Sequence, residues 1–225
     1  MSDDERARDF ENCQSPGTGA FRSLDRKCLD RRAHLCHDRG MTPELPAPAS
    51  THTAKHIRLI ELPASAIHAL AARDLAAANH AAPITLTPYF VDVDDASVWR
   101  RRSRQIRDDP ACAGWITRAI WDVDLQVAVG RAGFHGPPDP AGMVEVGYAV
   151  DPACRRRGYA RAALEALLDR AARESTARTV RATISPGNDA SRLLVRQYGF
   201  STVGEQWDDE DGLETIYEVG SRQIH

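Results

Sequence analysis

Hydrophobic and polar residues follow a strand, helix, strand order over residues 144–200. Apolar residues dominate Met143–Val150 and Thr179–Ile184, and both segments have the length of a strand. Between them, the apolar residues of Gly158–Glu174 recur at the spacing of one helix face. This order predicts two strands of a sheet and an amphipathic helix packed against it.

A second helix and a hairpin complete this half of the chain. Asn188 is a favoured N-cap residue, and Gly199 can adopt the left-handed backbone that ends a helix. Beyond that helix, Ser201–Trp207 and Glu214–Val219 flank the acidic turn Asp208–Gly212. The pattern predicts a hairpin that closes the sheet.

Regular patterning in the first half begins at residues 57–62, where IRLIEL alternates as a strand does. Helical signals follow over Ala64–Ala78 and Asp92–Asp109. Two further strands are predicted at Trp115–Trp121 and Gln126–Phe134. The helix predicted at 92–109 has a cationic face, which we interpret as solvated. Its residues are Arg100, Arg101, Arg102, Arg104 and Arg107.

Residues 1–55 differ in composition from the rest. They are charged, contain Pro and Gly, and end in TPELPAPASTHTA, a composition typical of a tail or linker. We therefore assign residues 56–221 to the folded domain. Four tail residues are of zinc-ligating types, but their spacing lacks a paired Cys-x-x-Cys and argues against a metal site. They are Cys28, His34, Cys36 and His37.

Composition narrows the class of protein. A chain of 225 residues accommodates one domain with a full core. The net charge is −3, so the chain does not have the overall positive charge that is typical of a nucleic-acid-binding protein. No apolar run has the length of a membrane span, and the N-terminus lacks an apolar signal segment. Five cysteines at irregular spacing argue against a disulfide framework, so we expect a reduced, cytoplasmic protein.

The turn before the helix at 158–174 has the chemistry of an anion site. The first turn of a helix has backbone N–H groups without partners and the positive end of the helix dipole, so it binds phosphate where the chain can approach closely. Small residues permit that approach, and arginines add forked donors. The turn therefore predicts a site for a diphosphate-bearing ligand. It consists of Arg155, Arg156, Arg157, Gly158, Tyr159 and Ala160.

These residues resemble the cofactor-binding core of the GNAT superfamily, the acetyl-CoA-dependent N-acetyltransferases. The family signature Gln/Arg-x-x-Gly-x-Gly/Ala is matched from Arg155 to Ala160. An Asn followed by a short helix ending in Gly-Phe is matched from Asn188 to Phe200. The strand sequence Glu145-Val146-Gly147-Tyr148 resembles the branch that contains the ribosomal-protein N-terminal acetyltransferases. The resemblance covers residues 57–219 and implies an α/β (α+β) fold with a mixed, mostly antiparallel sheet flanked by helices.

The resemblance also implies where acetyl-CoA binds. In this fold two central strands splay apart, and the pantetheine arm pairs with strand backbone in the gap, here at Tyr148, Ala149 and Val150. The pyrophosphate is expected on the N–H groups of Arg155–Ala160. Asn188 matches the position that reaches the pantetheine arm, and Ser191 lies near it on the same helix. A plain helix N-cap is a compatible second role for Asn188. No metal is expected.

Acetyl transfer needs a base and a proton donor. Glu145 is the best candidate base, because it lies on the central strand just before the cofactor turn, although a structural ion pair with an arginine is its alternative role. His135 and Tyr148 are lesser candidates. Many family members have a proton-donating tyrosine where this chain has Val195, and the general acid is left open between Ser191 and water.

The resulting hypothesis is an N-acetyltransferase that moves an acetyl group from acetyl-CoA to a primary amine, with a protein or peptide α-amine as the first acceptor class. A small-molecule amine such as an antibiotic, a polyamine or an amino acid is the enzymatic alternative. A non-catalytic acyl-CoA-binding sensor is the third reading, since Val195 replaces the usual tyrosine. No nucleic acid or membrane partner is expected, and both monomer and homodimer are open.

A protein that starts at Met41, a candidate translation start, is expected to fold and bind acetyl-CoA as the full chain does. The physical reason is that the preceding residues carry little core-forming pattern. Thermal melting and calorimetric titration of the two forms would check this. A melting temperature lower by several degrees would show that the segment is structural.

Overall fold

A seven-stranded sheet forms the centre of the domain in a computed structural model that describes residues 55–92, 96–208 and 212–223. The strands lie in the order β1-β2-β3-β4-β5-β7-β6. Their bounds are β1 Ile57–Ile60, β2 Arg118–Asp122, β3 Val127–Phe134, β4 Met143–Val150, β5 Thr179–Ile184, β6 Ser201–Asp208 and β7 Gly212–Gly220. The helices are α1 Ala64–Ala71, α2 Leu75–Ala81, α3 Ala96–Asp108, α4 Tyr159–Arg173 and α5 Asp189–Arg196.

The sheet is mixed and mostly antiparallel, as predicted. Only the β4–β5 pair is parallel among the described strand pairs, and it is connected through α4. Its ladder extends from Met143–Thr179 to Glu145–Arg181 and then ends. On its other side β4 stays paired with β3 as far as Val150. The two central strands therefore separate after Glu145, which confirms the splayed arrangement.

Apolar side chains cover both faces of the sheet. Leu164 and Leu167 of α4 are fully buried against one face, together with Phe134 of β3. On the other face, Leu70 of α1 and Trp99 of α3 belong to a second buried cluster. Each fully buried leucine contributes about 1.5–3 kcal/mol through the area it removes from water. These two layers fix the position of the strands that form the site.

The predicted helix Ala64–Ala78 is wrong in one respect, because the chain forms two helices there. Arg73 adopts a left-handed backbone with φ 60°, which ends α1. The Asp74 side chain then accepts a hydrogen bond from the Ala77 amide at 2.9 Å and begins α2. A capping aspartate inside an otherwise helical run can act in this way, since it offers the backbone a new helix start.

Among the other predicted element starts, two were wrong by three residues or more. The strand predicted at Trp115–Trp121 begins only at Arg118, because Pro110–Gly114 forms a 3₁₀ turn that precedes it. The helix predicted from Asp92 begins at Ala96. By contrast, β4 and β5 have the predicted bounds, and Gly199 ends α5 with φ 79° as expected.

The predictions for residues 1–54, including the tail assignment and the four zinc-ligand types, lie outside the described residues. Over the rest of the chain, no helix that the structure describes is both long and apolar enough to span a membrane.

Candidate active site

The gap between β4 and β5 opens into a cleft of about 860 Å³, here called the cofactor cleft. One wall is the end of β4, another is the turn before α4, and α5 forms the third. It brings together most of the residues predicted to bind the cofactor. They are Tyr148, Ala149, Val150, Arg155, Arg156, Gly158, Tyr159, Ala160, Asn188 and Ser191. Arg157 is exposed and is not among the described residues that line this cleft.

Left-handed backbone shapes the turn at the head of this cleft. Arg156 has φ 64° and Gly158 has φ 88°. Gly158 is the N-cap of α4 and has no side chain to bond the first amides of the helix. The first residues of this 15-residue helix line the cleft, so its N-terminus, which carries the unpaired amides and the positive end of the helix dipole, lies at the cleft. The Arg155 side chain bonds the Val150 carbonyl at 3.2 Å, which ties the turn to the end of β4.

Tyr159 contributes main chain to the cleft and directs its side chain into the protein. Its hydroxyl donates a 2.6 Å hydrogen bond to Asp122, which is 1 % exposed. Burial alone would raise the pKa of Asp122, but the Tyr159 hydroxyl, two backbone amides and Lys55 hold it below its ordinary value. Burial and the contact with Asp122 raise the pKa of Tyr159 to about 12. This buried pair anchors the first turn of α4 to β2.

Tyr159→Phe is expected to lower the free energy of unfolding by about 1–3 kcal/mol at pH 7, because it leaves a buried carboxylate without one of its donors. A depressed folded-state pKa contributes stability above the ordinary carboxyl value of about 3.9 and loses it as pH falls through the folded value. The gap between wild type and variant should therefore narrow towards low pH. Urea denaturation at pH 7 and at about pH 3, below the ordinary carboxyl value of about 3.9, measures it, and an equal gap at both pH values would indicate lost packing alone.

A second cleft of about 490 Å³, here called the acceptor cleft, adjoins the first. Tyr148, Ala149, Asn188 and Ser191 line both clefts, so the two meet where β4 and β5 have separated. The acceptor cleft is polar and carries three carboxylates. Its polar lining includes Arg101, Arg131, His135, Glu145, Thr183, Gln206, Asp208 and Glu214.

Glu145 lies in the acceptor cleft with 19 % of its side chain exposed. Its Oε1 accepts a hydrogen bond from the Thr183 hydroxyl and lies 3.4 Å from Nδ1 of His135. Arg181, its register partner on β5, is paired with Glu218 at 2.6 Å. Arg181 is thus engaged by Glu218, while Arg101 and Arg131 line the same cleft as Glu145.

His135 is held beside Glu145 by its own backbone. Its carbonyl accepts hydrogen bonds from Arg102 at 3.0 Å and Gln105 at 2.8 Å. A Cβ on Gly147 would lie 2.9 Å from the His135 Nε2, so glycine leaves room for the imidazole. Burial lowers the pKa of His135, and neighbouring arginines add to this against the opposing charge of Glu145.

The cationic face predicted as solvated is wrong for Arg102. This residue is 5 % exposed, and its guanidinium bonds Thr117 and Gln105 as well as the His135 carbonyl. Desolvation lowers its pKa to about 10. Arg102 is buried because it lies on the side of α3 that packs against the strands. The run of arginines in the sequence does not indicate which of them is buried.

The residues around α5 have the predicted local roles. The Asn188 side chain accepts a hydrogen bond from the Ser191 amide at 3.1 Å, which confirms the N-cap. Val195 is fully buried in the core. Tyr198 bonds Glu165 and Arg161, and it is not among the described residues that line either cleft.

Sequence reasoning missed much of the acceptor cleft. Thr183 comes from β5, Gln206 from β6 and Glu214 from β7, whereas Asp208 begins the acidic turn that the sequence predicted at 208–212. Gln206 donates to the Glu214 carboxylate at 3.1 Å across the hairpin. The predicted hairpin was the only sequence signal for the pairing of Gln206 with Glu214. The hairpin pattern does not indicate which face of the hairpin lies towards β4. The described residues include no group of three or more His, Cys, Asp or Glu arranged to hold a metal ion.

Solved structures similar to this chain are acetyltransferases with its fold. The ribosomal-protein-S5-alanine acetyltransferase from Vibrio fischeri superposes with a TM-score of 0.51 at 18 % identity, covering 75 % of this chain and 94 % of that one. A ribosomal L7/L12 alpha-N-protein acetyltransferase in complex with coenzyme A gives 0.53 at 17 %, covering 74 % and 95 %. A spermidine N-acetyltransferase chimera with a Vibrio cholerae component gives 0.52 at 11 %, covering 73 % and 95 %.

Sequence comparison adds a family and one curated relative. An uncharacterized N-acetyltransferase of Bacillus subtilis is 35 % identical over 72 residues, which are 32 % of this chain and 43 % of that protein. The match thus spans less than half of that relative. The family model for the acetyltransferase (GNAT) domain matches residues 61–201, well over half of the chain. The chain therefore belongs to the GNAT family of acetyltransferases.

Proposed function

We propose that this protein transfers an acetyl group from acetyl-CoA to a primary amine. The observation that carries the proposal is the meeting of two clefts at the point where β4 and β5 separate. One cleft has the head of α4 at its end, and the other contains a held carboxylate, Glu145. A donor in the first and an amine in the second would meet beside Tyr148 and Ser191.

The cofactor cleft suits two parts of acetyl-CoA, the pyrophosphate and the pantetheine arm. The amides at Gly158–Ala160 and the side chain of Arg156 offer donors to the pyrophosphate. Past Glu145, the β5-facing edge of β4 is without a partner strand among the described residues, so its amides can bond the pantetheine arm. Exposed Leu193 adds an apolar surface on α5.

Glu145 is the proposed general base. Its carboxylate would take a proton from the acceptor amine, directly or through one water, as nitrogen attacks the acetyl carbon. Thr183 fixes one carboxylate oxygen and His135 lies beside it. The backbone clamp on His135 by Arg102 and Gln105 keeps this pair in place.

An α-amine of a protein or peptide is the first acceptor class. Neutralising an α-amine at pH 7 costs about 1.4 kcal/mol, whereas a lysine amine costs about 4.6 kcal/mol, from pKa values near 8 and 10.4. A single carboxylate base meets the smaller cost more readily. The similar structures named as acting on ribosomal proteins support the same class.

A small cationic amine is the second candidate. Three carboxylates in the acceptor cleft, Glu145, Asp208 and Glu214, would attract a polycation, and one similar structure is named a spermidine N-acetyltransferase. The non-catalytic sensor has the weakest support. The sensor was considered because this chain has Val195 where many family members have a tyrosine, and the Val195 side chain is buried in the core.

Release of CoA thiol from acetyl-CoA across a panel of amines tests the proposal. The panel contains three amines. The first is a peptide with a free N-terminal alanine, the second is that peptide with its α-amine acetylated and an internal lysine present, and the third is spermidine. Turnover of the first alone supports the α-amine, and turnover of spermidine alone supports the small amine. Tight acetyl-CoA binding without turnover of any amine supports the sensor instead.

A further inference from the structure

The Tyr148 hydroxyl is a buried polar group without a hydrogen bond of normal geometry among the described residues. Such a group is costly to bury unless a ligand completes it or it has a chemical role. The Ser191 hydroxyl is its polar neighbour and acts on its pKa, although burial has the larger effect and raises that pKa above the ordinary value. The hydroxyl therefore stays protonated throughout the neutral range.

Tyr148 lies where the cofactor cleft and the acceptor cleft meet. Tyr148 lines both clefts, and it follows the point where the β4–β5 ladder ends at Glu145. Its neighbour across the gap is Ser191 on the first turns of α5. This chain has Val195 at the position where many family members have a tyrosine, and the Val195 side chain is buried in the core.

We propose that the Tyr148 hydroxyl donates its proton to the thioester sulfur as the carbon–sulfur bond breaks. The inference rests on the proposed acetyl transfer. The amine nitrogen forms a bond to the acetyl carbon, and the electron pair of the carbon–sulfur bond goes to sulfur. Sulfur takes the proton of Tyr148, Glu145 takes the proton of the amine, and the Tyr148 phenolate recovers a proton from Glu145 through Ser191 or solvent. The products are the amide and the free thiol.

A proton donor is useful here because a free thiolate would be costly in a buried cleft, although a thiol is more acidic than a phenol in water and burial also raises the pKa of Tyr148. The pKa values in water are about 8.5 and 10. A sulfur anion that forms between β4 and α5 is also desolvated, which raises its affinity for a proton. Donation at the moment of bond cleavage avoids a naked thiolate in the cleft.

Tyr148→Phe tests the proposal, because it removes one oxygen and keeps the ring. We expect kcat to fall roughly 10²-fold, with little change in the KM for acetyl-CoA. The assay uses acetyl-CoA with the best amine of the panel above, tried first with the alanine-led peptide. The matched control is Tyr198→Phe, which loses a hydroxyl outside both clefts and should keep the wild-type kcat.

Two further variants separate donation from packing. A fluorinated tyrosine at position 148 has a more acidic hydroxyl with nearly the same shape, so the alkaline limb of the kcat–pH profile should move to lower pH. Ser191→Ala should lower kcat less than Tyr148→Phe does. These readouts also hold if Tyr148→Phe folds poorly.

The possible failures are distinguishable. An unchanged kcat in Tyr148→Phe, an unmoved pH profile with fluorotyrosine, or a larger loss in Ser191→Ala would overturn the role of Tyr148 and leave the acetyl transfer standing. A wild-type protein that turns over no amine would overturn both proposals.

Discussion

Gly158→Asp is expected to abolish acetyl-CoA binding while the protein stays folded. Gly158 caps α4 at the head of the cofactor cleft with φ 88°. An added side chain would stand where a phosphate approaches the helix amides. A carboxylate 4 Å from one phosphate charge costs about 4 kcal/mol at an effective dielectric of 20, which corresponds to roughly a 10³-fold loss of affinity.

The fold should tolerate this change. A Cβ at Gly158 would lie 3.7 Å from the nearest atom outside its chain neighbours, on Lys55, which is an ordinary contact. The left-handed backbone costs a non-glycine residue about 1–2 kcal/mol, less than the stability of about 5–15 kcal/mol that a domain has. Calorimetric titration with acetyl-CoA and a thermal melt give the two readings.

Two control variants separate charge, bulk and strain. Gly158→Asn has nearly the same shape as the aspartate without its charge, so it should bind more tightly than Gly158→Asp and less tightly than wild type. Gly199→Asp places the same residue at another exposed left-handed glycine, at the end of α5, and should bind acetyl-CoA normally. Unchanged affinity in Gly158→Asp would refute the phosphate role of the turn.

Glu145→Gln is expected to lower kcat by roughly 10²-fold or more, the usual scale for loss of a general base, with little change in acetyl-CoA affinity. The amide keeps an oxygen that can accept the Thr183 hydroxyl bond, so the geometry of the cleft should persist. The remaining rate should rise with pH, because a larger fraction of the amine is then neutral without help. Steady-state kinetics over a pH series measure both effects.

Glu61→Gln is the matched control for this variant. Glu61 is also a paired carboxylate, since it bonds Arg118 at 2.9 Å, but it is not among the described residues that line the two clefts. Its loss should change stability little and leave kcat unchanged. A Glu145→Gln enzyme with normal kcat and an unaltered pH profile would make Glu145 a structural residue.

Local signals in the chain were sufficient for the strands, the helix cap and the turn that line the cofactor cleft. The bounds of β4 and β5 follow from runs of apolar residues, and the Asn188 cap and the Gly199 stop depend only on their neighbours in sequence. The cofactor turn, Arg155–Ala160, is likewise continuous in sequence. Such features are predictable because the physical causes act within a few residues.

Arg73 and Arg102 show where local signals fail. Arg73 lies in a run with helical periodicity, yet its left-handed backbone divides the run because Asp74 caps a new helix. Arg102 looks like its neighbours on α3, yet it is buried against the carbonyl of His135. Both outcomes depend on where helices pack, and the periodicity of a segment does not contain that information.

By itself, the sequence determined most of the strands and helices and the turn before α4, and it gave Glu145 as the candidate base. The tertiary structure decided which side chains meet that base. Thr183, Asp208 and Glu214 lie on three different strands. Only the order of β5, β7 and β6 in the sheet brings them to one cleft. It also left the Tyr148 hydroxyl buried between two clefts. The physical reason is that strand pairing and helix packing join residues far apart in the chain, whereas capping and turn formation act between neighbours.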